Sequence, residues 1–147
     1  MDDRELLKVV MGIVGKDKCL DDCAELPCGE LVMVATTDML HRTTDFVPGM
    51  TDWQAGWMSA AVTLSDIASM GAAPKYLLVA VGLDDWKCLA GVMQGAKDCC
   101  TKYGAEIVGG DIDRHTELTV VTTGLGLVSR RDIVRRTGVW PDDLVCI

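Results

Sequence analysis

Apolar residues recur along this chain at two different intervals, and the order in which the intervals alternate limits the folds open to it. Residues 4–14 carry apolar side chains at helical spacing. Residues 31–35 form a short apolar run suited to a buried strand, and the run leads into Thr36, Thr37 and Asp38. From 53 to 70, the apolar positions 53, 57, 60, 61, 64, 67 and 68 follow one helical face. Asp52 is placed to cap that helix, Gly71 to end it, and Pro74 to bar its continuation. Residues 76–83 read as a strand, and 86–100 as a third helical stripe closed by Gly104. Residues 106–108 make a short strand ending in Gly109-Gly110-Asp111, 118–128 a long β-rich run, and 143–147 the start of another strand. Residues 15–30, interrupted by Pro27 and Gly29, and residues 39–51, turning at Pro48-Gly49, are expected to be loops. The later strands lie close together. The expected class is therefore α+β, a mixed β-sheet covered by helices on one face, rather than a regular parallel array.

Length and charge narrow the function. The 147 residues suit one domain spanning 1–147, with 49% apolar residues to build its core. A net charge of -8 repels phosphate backbones, so nucleic acid is discounted as a partner. The same charge is compatible with a nucleotide if bound cations reverse it locally. No apolar stretch is long enough to span a bilayer, the acidic start lacks the features of a signal peptide, and a cytoplasmic protein is expected. Seven cysteines form no CxxC pair, and His41 and His115 are not spaced as a zinc pair; the thiols read as small buried hydrophobes.

Chemistry is concentrated in aspartates. Asp21 and Asp22 lie in the first loop, Asp38 follows a buried run, Asp66 interrupts an apolar helix, and Asp111 follows two glycines. Carboxylates gathered along one sheet edge would raise one another's pKa unless cations intervened, and Mg²⁺ meets that need by bridging one or two carboxylates to phosphate oxygens. Taken singly, Asp21, Asp22 and Asp111 are equally suited to turns or caps. Asp66 is different, because a carboxylate among Leu64, Ile67, Ala68 and Met70 requires a cation or an arginine beside it. Gly109-Gly110 permits close backbone approach, whether in a tight turn or to a ligand. There is no Walker A or GxGxxG pattern. The arginines at 130, 131, 135 and 136 suit a solvated face, although one could fork onto a phosphate.

Five segments, in order and at matching separations, carry a resemblance. Leu20-Asp21-Asp22-Cys23-Ala24 resembles the GDDAA or GDDCA loop of the thiamine-monophosphate kinase family, and Thr36-Thr37-Asp38-Met39-Leu40 its (S/T)TD strand. Residues 61–72 (AVTLSDIASMGA) are similar to its AVNLSDLAAMGA helix, 109–114 to GGDTTR, and 136–144 to RSGAxPGDL. The resemblance implies an aminoimidazole ribonucleotide synthase-like amino-terminal domain that dimerises through its sheet. It implies transfer of the ATP γ-phosphate to thiamine monophosphate, giving thiamine diphosphate. It also implies Mg²⁺ on Asp22, Thr36, Thr37, Asp38, Asp66 and Asp111, with Gly110, Asp111, Arg136 and Tyr103 at the nucleotide and no general base. The family's carboxy-terminal domain is absent from this sequence, so a fragment or split subunit without activity of its own is expected. Other ATP-handling members of the superfamily, and a non-catalytic dimerisation module, are the alternative readings. Three positions depart from the pattern: Leu20 and Asp142 replace glycines, and Asp45, the candidate substrate contact, stands where the family carries a histidine.

Overall fold

The computed structural model of the protein describes residues 2–144. Three helices, α1 (Asp3–Val14), α2 (Asp52–Ser69) and α3 (Leu89–Tyr103), accompany five strands. These are β1 (Ala24–Cys28), β2 (Leu31–His41), β3 (Ala73–Leu83), β4 (Glu106–Arg114) and β5 (Thr119–Ser129). They form one sheet in the order β1-β2-β5-β3-β4, in which only β3 and β4 run parallel. The mixed α+β architecture is the expected one. Helices α2 and α3 cover one face, while α1 stands apart beside a short turn at Lys16–Cys19.

The strands are longer than hydrophobic runs suggest. β1 lies in a segment expected to be a loop: its five residues are all exposed, so no apolar pattern marks it, and it is held by pairing with β2 across the Gly29 turn. β2 runs on through Thr36, Thr37 and Asp38 to His41, because β5 pairs with it residue for residue from Leu31 to His41. β4 likewise continues through the glycines to Arg114. Asp38 and Asp111 therefore sit within strands rather than at strand ends. Asp143 and Leu144 are not in a strand, and the rest of that expected strand, 145–147, falls outside the described residues. The cap of α2 is Thr51 rather than Asp52, in a reciprocal capping box with Gln54.

Glycines on the central strand fix how closely α2 approaches. Gly124 and Gly126 of β5 face α2, and a Cβ on either would come within 2.7 Å of Ile67 side-chain atoms. Ile67, fully buried, fills the groove those glycines leave. The two helices in turn meet backbone to backbone: a Cβ on Gly56 would lie 1.8 Å from the Val92 carbonyl oxygen, and one on Gly95 would lie 1.9 Å from that of Trp53. This layering brings the polar side of α2 directly over β2.

Candidate functional site

The site begins with the period of β2. Val32 and Val34 point into the core beneath α2. Continuing the same alternation, Thr36 and Asp38 face α2, whereas Thr37 faces the uncovered side of the sheet. Asp66, one residue before Ile67 on α2, meets β2 there: the Thr36 hydroxyl donates to Asp66 Oδ2 at 3.1 Å. One turn earlier, Thr63 donates to Asp38 Oδ2 at 2.7 Å. Thr63 Oγ1 also lies 2.6 Å from Thr122 Oγ1, whose hydroxyl reaches the Ser59 carbonyl at 2.9 Å, so two buried hydroxyls from α2 and β5 stand behind the Asp38 carboxylate.

The loop before β1 supplies a third carboxylate. Asp22 accepts from Ser69 Oγ at 3.0 Å and pairs with the Arg136 guanidinium. Cys23, buried next to Asp22, reports the convergence. Burial chiefly, then the charges of Asp66, Asp22 and Asp38, push its thiol up to about 12. Asp66 is held above the ordinary carboxylate range by burial first and by Asp38 second, with the Thr36 bond and Arg136 opposing. Asp22 lies below that range because of its bond to Arg136. Three carboxylates thus share one region, with the Arg136 guanidinium bonded to Asp22.

The donor set suits a hard divalent cation. Among the described residues, no three His, Cys, Asp or Glu side chains close into a ready-made metal cage. Mg²⁺ does not require one, since it retains waters and takes phosphate oxygens beside one or two carboxylates. Asp22, Asp38 and Asp66, with the Thr36 hydroxyl, provide oxygen ligands only, and a cation would offset the burial and the Asp38 charge that raise Asp66.

The remaining candidates are dispersed. Asp111 pairs in register with Ala80, out of phase with the buried Val79 and Val81, and so lies on the uncovered side of the sheet. Its own strand is three places from β2, roughly 14 Å at the usual strand spacing. Its Oδ1 accepts from the Ile112 amide at 2.9 Å. The fold therefore separates Asp111 from the Asp22–Asp38–Asp66 group instead of gathering all the aspartates at one edge. Gly110 has a structural cause: β4 bulges at Val108, and a Cβ on Gly110 would stand 1.7 Å from the Val79 carbonyl oxygen. Thr37 bonds across to β5, donating to the Thr122 carbonyl at 3.1 Å and touching Thr123 Oγ1 at 3.0 Å.

Tyr103 is half exposed at the end of α3, beside an apolar groove of about 330 Å³ lined by Ala61, Leu64, Ala68 and Pro74. Asp45 is occupied locally. Its Oδ2 accepts from the His41 amide at 2.7 Å and from Thr44 Oγ1 at 2.7 Å, and these bonds hold it below the ordinary carboxylate range. Reading the sequence missed Thr63, Thr122 and Ser69, which position the carboxylates. Thr63 and Ser69 stand three residues either side of Asp66, on its own helical face, and that spacing is the signal that could have found them.

Two departures from the family pattern have opposite outcomes. Leu20 adopts right-handed backbone angles (φ -96°), so that loop needs no glycine. Asp142 has φ 86°, the only non-glycine with positive φ among the described residues, at the place where the pattern has glycine.

Comparisons with known proteins bear on the family and the fold. Residues 20–128 match the AIR synthase related protein, N-terminal domain, family. A thiamine-monophosphate kinase of Methanospirillum hungatei is 52% identical over the whole chain, which covers 51% of that relative. One from Halobacterium salinarum is 42% identical, again over the whole chain and 49% of the relative. The solved structure of AaThiL complexed with AMPPCP and TMP shares the fold with a TM-score of 0.87 at 24% identity, over 94% of this chain and 45% of that one. The chain spans about half the length of the curated relatives it matches. With most of its length matched, the chain belongs to the AIR synthase related family as an N-terminal domain.

Proposed function

We propose that this chain is the Mg-ATP-handling half of a thiamine-monophosphate kinase, which transfers the γ-phosphate of ATP to thiamine monophosphate. The observation that carries the reading is the placing of Asp22, Asp38 and Asp66 where α2 meets β2 and the loop before β1, with Ser69, Thr63 and Thr36 donating to them in turn. Phosphoryl transfer depends on positioning and charge neutralisation more than on a strong base, and this site offers the corresponding parts. When bound, Mg²⁺ would supply neutralisation of the polyphosphate. Asp22, Asp38, Asp66 and the Thr36 hydroxyl would hold it. The Thr63 hydroxyl orients Asp38, and Arg136 supplies a guanidinium whose fork matches a phosphate.

Gly110, Asp111, Tyr103 and Thr37 belong to the nucleotide and metal site on this reading, although Asp111 and Thr37 face away from the other three carboxylates within one chain. Asp45 is proposed at the thiamine phosphate by resemblance alone, since its carboxylate already serves the 41–45 turn. The uncovered sheet face carries Met39, Tyr76 and Leu78 exposed, which supports dimerisation through the sheet. Sedimentation of the chain tests that, and a monomer at high micromolar concentration contradicts it. Among the described residues no helix is long and apolar enough to cross a membrane, and a cytoplasmic location is proposed with the activity.

The decisive assay joins this chain to the carboxy-terminal half of the Methanospirillum hungatei relative and measures thiamine diphosphate from thiamine monophosphate, ATP and Mg²⁺. Product formation by the joined protein, absent from the chain alone, is expected. Turnover of ATP with a different acceptor, and none with thiamine monophosphate, would overturn the assignment.

A further inference from the structure

Beyond β5 the chain, residues 130–144, doubles back as a strap whose first part, 130–136, holds to the body beside the acidic site. Most of the strap is exposed, and its hold on the body is specific. Ile133 packs partly into the core, the Val134 amide donates to the Met70 carbonyl at 3.0 Å, and Arg130 Nε donates to the Gly29 carbonyl at 3.2 Å. The next two residues bind acidic side chains only. Arg135 forks onto Glu25 at 2.5 and 2.7 Å. The Arg136 amide takes Asp21 Oδ1 at 2.7 Å, and its guanidinium pairs with Asp22.

Asp22 is thus claimed twice. It is one of the three carboxylates suited to a divalent cation, and it is also the anchor of Arg136. The guanidinium sits on Oδ1 and Ser69 donates to Oδ2, so a cation on the same carboxylate would stand close to the guanidinium's charge, and the two positive groups weaken each other's hold.

We propose that Arg136 is the resident counterion of the acidic site and that the strap is a cation-released latch: Arg136 holds Asp22 while the site lacks a divalent cation, and leaves it when one binds. This rests on the cation reading of Asp22, Asp38 and Asp66 given above. On release, the guanidinium keeps its charge and its fork, and is free to meet the phosphates of a nucleotide held by the same cation. The strap remains tethered at Ile133, Val134 and Arg135, so the movement is confined to the stretch from Arg136 onward. The device gives an order to assembly: cation first, then Arg136 onto phosphate. It also spares the empty site the full repulsion of three carboxylates.

The test uses the chain itself with Mg²⁺ alone as the probe. Four arginines make the strap a series of tryptic sites, so its protection is read directly by timed trypsin digestion and mass analysis. Mg²⁺ affinity is read separately by titration calorimetry. For the unaltered chain, Mg²⁺ is expected to speed cleavage at Arg136 several-fold, while Arg135 stays held by Glu25. Arg136→Gln, an exposed change, should bind Mg²⁺ about twofold to fivefold more tightly, the range an exposed ion pair supports. Arg136→Lys should fall between the two. If Mg²⁺ binds both proteins equally and strap cleavage does not respond, the latch is overturned while the cation site stands. If neither protein binds Mg²⁺, the cation reading itself fails and the latch falls with it. Asp66→Asn separates these cases further: it should abolish Mg²⁺-driven opening yet leave the strap closed, since the Arg136–Asp22 pair is untouched.

Discussion

Asp66 is the residue at which burial and charge are most at odds. Its folded pKa is raised, so its ionisation costs stability: the penalty is absent below the ordinary carboxylate range, grows as pH climbs through the folded pKa, and is complete above it. Asp22 behaves oppositely. Its folded pKa is depressed by Arg136, so its contribution is present above the ordinary value and is lost as pH falls through the folded one. Without divalent cations, Asp66→Asn should therefore be more stable than the unaltered chain at pH 7, with the two converging as the solution is acidified below the ordinary carboxylate range. Urea unfolding across that range measures this, and a variant no more stable at pH 7 contradicts it. Added Mg²⁺ should raise the Tm of the unaltered chain and leave that of Asp66→Asn unchanged. Asp66 was legible in the sequence because an acid among Leu64, Ile67 and Met70 has few explanations. Thr63 was not, since a threonine in a helix is ordinary until its hydroxyl is seen to meet Asp38.

At the scale of elements, the site depends on the distance between α2 and the sheet, which Gly124 and Gly126 set. Gly124→Ala would drive a methyl against Thr63 Cγ2 and Ile67 Cδ1, at 2.6 and 2.7 Å before relaxation. The expected cost is about 1–3 kcal/mol by overpacking, with weaker Mg²⁺ binding as Thr63 is pushed from Asp38. Gly12→Ala makes the contrast. Nothing lies within 4 Å of its would-be Cβ in the last turn of α1, and the change should stabilise by up to about 0.5–1 kcal/mol. Denaturant titration of both variants checks the pair; equal effects would mean that the α2–sheet contact is looser than described.

Helices α1, α2 and α3 were readable because each buries or presents an apolar stripe of 3.6 period. β1 was not, because an exposed edge strand beside a proline is specified by its partner's hydrogen bonds and not by its own side chains. The glycines of β4 were readable as close approach, but the approaching group is the Val79 backbone.

At the scale of the molecule, the arrangement leaves two halves of an acidic set on opposite faces of one sheet: Asp22, Asp38 and Asp66 beneath α2, and Asp111 on the uncovered side. Motif order made the family legible, since five segments in sequence rarely coincide by chance. It could not tell which side of the sheet each aspartate faces, because a strand reverses its side chains at every residue and the bulge at Val108 resets that count. The central claim is that the three carboxylates beneath α2 take the divalent cation. Crystals of the chain grown with Mn²⁺ in place of Mg²⁺ and measured for anomalous scattering test it most directly. The account predicts a peak coordinated by oxygens of Asp22, Asp38 and Asp66, with Arg136 withdrawn from Asp22. A peak at Asp111 alone, or none beneath α2 at saturating Mn²⁺, would contradict it.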